Sequence, residues 1–263
     1  MRIATILTTF ALLAVQTTSH DISNKRKIAN AALNPHPHNP QFPISNSTDD
    51  VTGISPKVKA YWMHQTFHAL NASGSPCPLY PFAAVIVNHT STSTSPNNNA
   101  HNTALDLDRG ELICTGVNQG RQTGNMILHG EIAAILNCTS ILQDPAGKYR
   151  LSPAETIEAF KDLSLYTNAE SCPMCASAVR WNGFKEYIYG TSIARLVEYG
   201  FAQITISSEE IFAQAEGLPA DTALIGGVLA EETDRLFAWQ FQDGECPVGC
   251  SRADDGEGRC QPV

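Results

Sequence analysis

Apolar residues recur at helical spacing over residues 57–70, with Val58, Trp62, Phe67 and Leu70 on one side. Pro56 precedes them at a first helical position, where its missing N–H is no loss. Residues 82–87 form a short, continuous apolar run with the length and residue types of a buried strand, and residues 111–117 are expected to form the next strand. Between them, residues 90–102 are almost entirely Ser, Thr and Asn, which predicts a long exposed loop bridging a hairpin. A second helical period covers residues 129–142 through Ile132, Ile135 and Leu136. Strands are expected at 163–167, 187–189 (ended by Gly190) and 204–206. A helix is expected at 172–181, with Pro173 near its start, and a closing amphipathic helix within 222–241 from about Leu224. Strands alternating with helices predict a layered α/β domain, and the early hairpin makes its sheet mixed.

The two ends of the chain read differently. Arg2 followed by an apolar stretch over residues 3–15 and small residues at Thr17 and Ser19 predicts a signal peptide over residues 1–19. That stretch is too short for a membrane span, and no other is long enough. Residues 20–55, rich in Asn, Pro, His and Ser, read as a disordered linker or propeptide. The folded domain is expected over 56–242, and residues 243–263 read as a Cys-rich, disulfide-tied tail. Asn46, Asn71, Asn88 and Asn137 each open an Asn-X-Ser/Thr sequon, which agrees with a secreted, extracellular protein.

Charge narrows the partners. The chain of 263 residues carries 17 Lys and Arg against 26 Asp and Glu, a formal net charge of −9. Phosphate neutralisation by Lys and Arg is therefore not its business, and a nucleic acid is not the expected partner. An apolar content of 43% is enough for a packed core.

Two short segments carry chemistry. One is His129-Gly130-Glu131; the other is Cys172-Pro173-Met174-Cys175, preceded by Glu170 and Ser171. Each follows an expected strand and opens an expected helix. Two Cys two residues apart at a helix N-terminus bring both sulfurs to one point, where the helix dipole and free N–H groups favour thiolates. A His makes a third ligand and leaves one coordination position open, the mark of a catalytic rather than a structural zinc. Zinc in such a site lowers the pKa of water toward neutrality, and Glu131, two residues after the His, is placed to move protons.

H-x-E followed by C-x-x-C resembles the zinc deaminases that act on bases. The chain is similar to the cytidine and deoxycytidylate deaminase superfamily, and within it to the tRNA adenosine deaminase and guanine deaminase branch. The likeness extends to Gly116-Val117-Asn118, to residues 170–178 with Trp181, to 186–190, and to Gly226-Gly227-Val228-Leu229 through Phe237. It implies a three-layer α/β/α domain on a mixed sheet of about five strands. It also implies Zn2+ on His129, Cys172 and Cys175, with Glu131 as the catalytic proton carrier. Asn118, Ser171 and Trp181 fall at substrate-contacting positions. The reaction implied is hydrolytic exchange of a ring amino group for a carbonyl with release of ammonia, on a small nucleobase or nucleoside, with a purine such as guanine or adenosine favoured. Family members often self-associate, so a homodimer is an expected partner state. The sequence departs from the family at Ser171, where Pro is usual, at Gly130, where Ala is common, and in two insertions, 90–102 and the added helix within 151–160.

Two other readings stay open on the residues alone. Cys172 and Cys175 form a C-x-x-C that a thiol–disulfide redox protein would use, which leaves His129 and Glu131 without a role. Alternatively all eight Cys pair, giving a secreted binding protein without catalysis. With zinc on two Cys, the remaining Cys77, Cys114, Cys138, Cys246, Cys250 and Cys260 allow three disulfides in any of about 15 connectivities. Crowding of three Cys in the tail predicts that at least one staples it to the body.

Overall fold

Val85, Ile86 and Val87 are consecutive residues without solvent exposure, so the strand that contains them must be covered on both faces. The computed structural model shows how. It describes residues 52–73, 77, 79–90, 109–240, 246, 249–253 and 260–263. Five strands form one sheet: β1 (Ala83–Asn88), β2 (Glu111–Val117), β3 (Leu163–Ala169), β4 (Glu186–Thr191) and β5 (Ala223–Ile225). Their spatial order is β2-β1-β3-β4-β5. β1 is antiparallel to β2 and β3, whereas β3, β4 and β5 run parallel. The sheet is mixed, as expected, and the hairpin of β1 and β2 forms. The loop expected at 90–102 falls, apart from Thr90, outside the described residues, as do residues 1–51 with the expected leader and most of the linker.

The pleat divides the core into two layers. Val85 and Val87 face helix α1 (Pro56–Ala72) and pack with its Val58, Trp62 and Met63. Ala84 and Ile86 face the other way, against Ala134, Ile135, Cys138 and Leu142 of α2 (Gly130–Gln143) and Val179 of α4 (Pro173–Asn182). The result is a three-layer α/β/α domain. The added helix, α3 (Pro153–Phe160), closes this second layer through Phe160, and its Ser152–Glu155 capping box fixes its start. Two short helices, α5 (Ile193–Tyr199) and α6 (Ser208–Gln214), follow β4, and α7 (Ala230–Ala238) packs on β4. Among the described residues no helix is long and apolar enough to cross a membrane.

Several expectations are corrected by packing. On α1 the inward stripe continues through Met63 and Thr66, not Phe67, which is only half-buried. On α2 the buried positions are Ala133, Ala134, Ile135, Cys138 and Leu142, while Leu136 is 56% exposed. The small alanines let α2 approach the sheet more closely than the larger apolar residues would. Gly190 does not end its strand; β4 runs on to Thr191, which pairs with Ala169, and the glycine instead makes room for α7, whose Thr233 a Cβ at 190 would meet at 2.5 Å. No strand forms at 204–206, and the fifth strand is 223–225, inside the segment expected to be helical. That helix starts at Ala230 instead of Leu224. Ahead of α1, Ile54 is buried against that helix, and Ser55 caps it.

Six Cys pair as Cys114–Cys138, Cys77–Cys250 and Cys246–Cys260. The second of these pairings ties the tail, where β6 (Cys250–Arg252) and β7 (Cys260–Pro262) form a small ribbon, to the segment between α1 and β1. The first staples β2 to α2 across 24 residues. Cys172 and Cys175 are not joined.

The contact between β2 and α2 has no room for a side chain at Gly116, where a Cβ would lie 2.1 Å from the Ala134 nitrogen and 2.4 Å from the Gly130 carbonyl oxygen. Gly116→Ala is therefore expected to lower the unfolding free energy by more than about 2 kcal/mol in urea denaturation, since backbone must move to admit it. An unchanged urea midpoint would contradict this packing.

Candidate active site

Four helices carry a serine as N-cap. Ser55, Ser152, Ser192 and Ser207 each accept a hydrogen bond from a first-turn N–H. The two helices that carry the chemistry do not. The N-cap of α2 is His129, with φ −71° and ψ 168°, and that of α4 is Cys172, with φ −61° and ψ 163°. Neither side chain caps its own helix. Both turn toward each other instead. Cys172 Sγ lies 3.5 Å and Cys175 Sγ 3.7 Å from His129 Nδ1. The three ligand atoms all lie within 4.8 Å of one another.

The backbone is held for this meeting at the start of β1 and the end of β3. Asn168, buried in β3, accepts from the Ala83 N–H at 3.0 Å and donates to the Pro81 carbonyl at 2.6 Å. Glu170, the next but one residue, uses both carboxylate oxygens on helix starts: Ile193 N–H at 2.8 Å for α5 and Ser208 N–H at 2.7 Å for α6. Segment 170–172 is thereby tied on both sides. Sequence reasoning gave Asn168 no role and Glu170 no partner. A carboxamide just beyond an expected strand was the available signal for the first; the second depends on two helices distant in sequence.

Charge explains what these three side chains want. Without a cation, two thiolates cannot sit side by side. Hydrogen bonds from Cys175 and His129 draw the Cys172 thiol down to about 4, against the effect of burial. The neighbouring Cys172 and burial push the Cys175 thiol up. Its hydrogen bond to Cys172 raises the His129 pKa. The set fits a divalent metal with soft and borderline donors: a tetrahedral zinc with bonds of about 2.3 Å to sulfur and 2.0–2.1 Å to nitrogen needs N···S separations of about 3.5 Å, close to those present. His129, Cys172 and Cys175 would hold it.

Glu131 lies in the first turn of α2, buried, with its Oε1 accepting from the Ser171 hydroxyl at 2.7 Å. Burial raises its pKa, and the Ser171 bond opposes the rise. A cavity of about 620 Å³ opens onto His129, Glu131 and Cys172. Its walls include Phe82 and Phe201, whose rings meet edge-on at 5.8 Å, and Tyr80 and Arg121, paired by a 2.8 Å hydrogen bond. Asn118 also lines it; its carboxamide oxygen is taken by the Gly120 N–H at 3.0 Å, so its NH2 is the group left to offer.

The seven residues singled out from sequence therefore divide. His129, Glu131, Cys172 and Asn118 meet at one cavity, with Cys175 beneath it. Ser171 is fully buried and touches Glu131 rather than the cavity; its carbonyl accepts from the Ser208 hydroxyl at 3.2 Å. Trp181 is 75% exposed and outside the cavity lining, a correction that follows from the helix period: Cys175, Ala176, Val179 and Arg180 take the buried face of α4. No local pattern points to Phe82, Phe201, Tyr80 and Arg121, of which the first three come from loops and Arg121 from a short helix over Gly120–Thr123.

Comparison with known proteins places these features. The family described as the cytidine and deoxycytidylate deaminase zinc-binding region matches residues 56–191. The guanine deaminase of Bacillus subtilis is 30% identical over 106 residues, 40% of this chain and 60% of that protein. The cytosine deaminase of Candida albicans is 30% identical over 105 residues, 38% of this chain and 61% of that protein. The chain thus spans about 60% of the length of the curated relatives it matches. Among solved structures, a guanine deaminase from Nitrosomonas europaea is 19% identical with a TM-score of 0.44, covering 69% of this chain and 81% of that one.

If the three side chains form one metal site, purified protein will contain about one zinc per chain by elemental analysis. His129→Ala, Cys172→Ala and Cys175→Ala will each abolish most of it while leaving the three disulfides intact. Full zinc content in any of the three variants would show that the metal sits elsewhere.

Proposed function

The chain belongs to the cytidine and deoxycytidylate deaminase family, and on that premise we propose that it is a zinc-dependent hydrolytic deaminase of a small nucleobase or nucleoside. The carrying observation is that His129, Cys172 and Cys175 converge within 4.8 Å beside Glu131 on the floor of one cavity. The reaction replaces a ring C–NH2 by C=O: water oxygen bonds to the ring carbon, the C–N bond breaks, and ammonia leaves. Zinc, when bound, supplies the Lewis acid that makes water a nucleophile near neutral pH.

The chain's own residues do the rest. Glu131 accepts a proton from the attacking water and passes it to the ring nitrogen, then takes the proton of the hydroxyl formed on the ring carbon and passes it to the departing amine as the C–N bond breaks. A carboxyl whose pKa burial raises is suited to alternate between base and acid. Phe82 and Phe201 provide apolar walls for a planar ring, and the Asn118 NH2 offers a donor to a ring or sugar acceptor. A purine is favoured because the cavity, about 620 Å³, is ample for a bicyclic ring and the guanine deaminase likeness points the same way. The cytosine deaminase likeness, equal in identity, supports a pyrimidine as the second reading. Net acidity and the lack of a basic run argue against a nucleic-acid substrate.

We also propose that the protein is secreted. The apolar N-terminal stretch, six disulfide-paired Cys and exposed sequon asparagines Asn71 and Asn137 support this. Expressed in a eukaryotic secretory host, the protein in the medium should begin near residue 20 by N-terminal sequencing; retention of Met1 would count against the leader.

Zinc-loaded protein incubated with guanine, adenine, adenosine, cytosine and cytidine should release ammonia from at least one, a purine fastest. Glu131→Gln should keep its zinc and lose about 100- to 10,000-fold in kcat. No ammonia from any of the five would remove this reading, and an active Glu131→Gln variant would remove Glu131 as proton carrier.

A further inference from the structure

Ser171 makes three buried hydrogen bonds that no apolar residue, and no proline, could reproduce together. Its hydroxyl donates to Glu131 Oε1 at 2.7 Å. Its backbone N–H donates to the Tyr187 hydroxyl at 2.6 Å. Its carbonyl accepts from the Ser208 hydroxyl at 3.2 Å. Tyr187 is fully buried in β4, and Ser208 starts α6, so the peptide at 171 is fixed from two independent elements. The hydroxyl of Ser171 is the part that points at the site. Proline has neither a hydroxyl nor an N–H, so at this position it could hold neither Glu131 nor Tyr187.

We infer that Ser171 is a positioning residue for the proton carrier: its hydroxyl holds the Oε1 of the Glu131 carboxyl in one orientation. The inference rests on the deamination reading for its kinetic consequence, but the hydrogen bond itself does not. The other partners of the buried Glu131 carboxyl are its own backbone N–H and the Cys175 thiol, and the side-chain hydroxyl bonded to it among the described residues is that of Ser171. With it removed, the carboxyl loses its one hydroxyl partner and is less restrained about its terminal torsions, and proton transfer becomes limited by how often the carboxyl is correctly placed. Ser171 touches neither the cavity nor a metal-ligand side chain through its hydroxyl, so its loss should act on turnover and not on substrate capture.

The test uses zinc-loaded wild type, Ser171→Ala and Ser171→Thr. Ser171→Ala should retain its zinc and its fold, lose about 10- to 100-fold in kcat, and change KM by less than about 3-fold. Ser171→Thr keeps the hydroxyl and should recover most of kcat. Crystal structures of wild type and Ser171→Ala supply a readout free of activity: Glu131 in one conformation bonded to Ser171 in the wild type, and spread over more than one in the alanine variant. An unchanged kcat in Ser171→Ala, a fall confined to KM, loss of zinc, or an identical Glu131 conformation in both crystals would overturn the inference. Should wild type release no ammonia from any base, the deamination reading fails by itself, and the two crystal structures still decide whether Ser171 positions Glu131.

Discussion

The two helices that carry the candidate metal ligands begin without a capping side chain, because the residues at their N-cap positions are turned to face each other. His129 opens α2 and Cys172 opens α4, and each forgoes a hydrogen bond that the serine-capped helices of the same domain make. A missing cap is worth about 0.5–2 kcal/mol per helix. A second penalty is electrostatic: the pair of sulfurs beside an imidazole can carry two negative charges only when a cation sits among them. Metal binding removes the second and offsets the first, which makes the helix starts the fixed point from which the rest of the domain can be understood.

The surrounding structure serves to bring those starts together and keep them there. Gly116 lets α2 lie directly on β2, and Cys114–Cys138 covalently ties the same two elements. Asn168 fastens the entrance of β1 to the exit of β3, where the chain turns toward Cys172. Glu170 anchors that turn to two further helices. The aromatic walls of the cavity, Phe82 and Phe201, then stand over a floor whose polar groups are already oriented. Orientation set before substrate arrives is what lets a single carboxyl serve as both acid and base.

Much of this was legible in the residues. Both chemistry-bearing segments were found because their spacing is local: His129 and Glu131 within one turn, Cys172 and Cys175 within another. The hairpin and the strands at 163–167 and 187–189 were likewise recognisable from apolar runs. What escaped was tertiary. Ile204 and Ile206 look like strand residues by composition, yet Ile204 stands 63% exposed at the cavity rim, because the edge position beside β4 is taken by 223–225. Trp181 resembled a pocket residue by motif, but its helical phase turns it outward. Ser171 was noticed as a departure from a family pattern; that its hydroxyl reaches Glu131, 40 residues earlier, follows only from the fold.

The central claim is that one imidazole and two thiolates hold a zinc with a fourth position left to water. Zinc K-edge X-ray absorption on the loaded protein measures this directly. The account predicts two sulfur neighbours at about 2.3 Å and two nitrogen or oxygen neighbours at about 2.0–2.1 Å. A shell of four sulfurs, or one of oxygen and nitrogen alone, would contradict it.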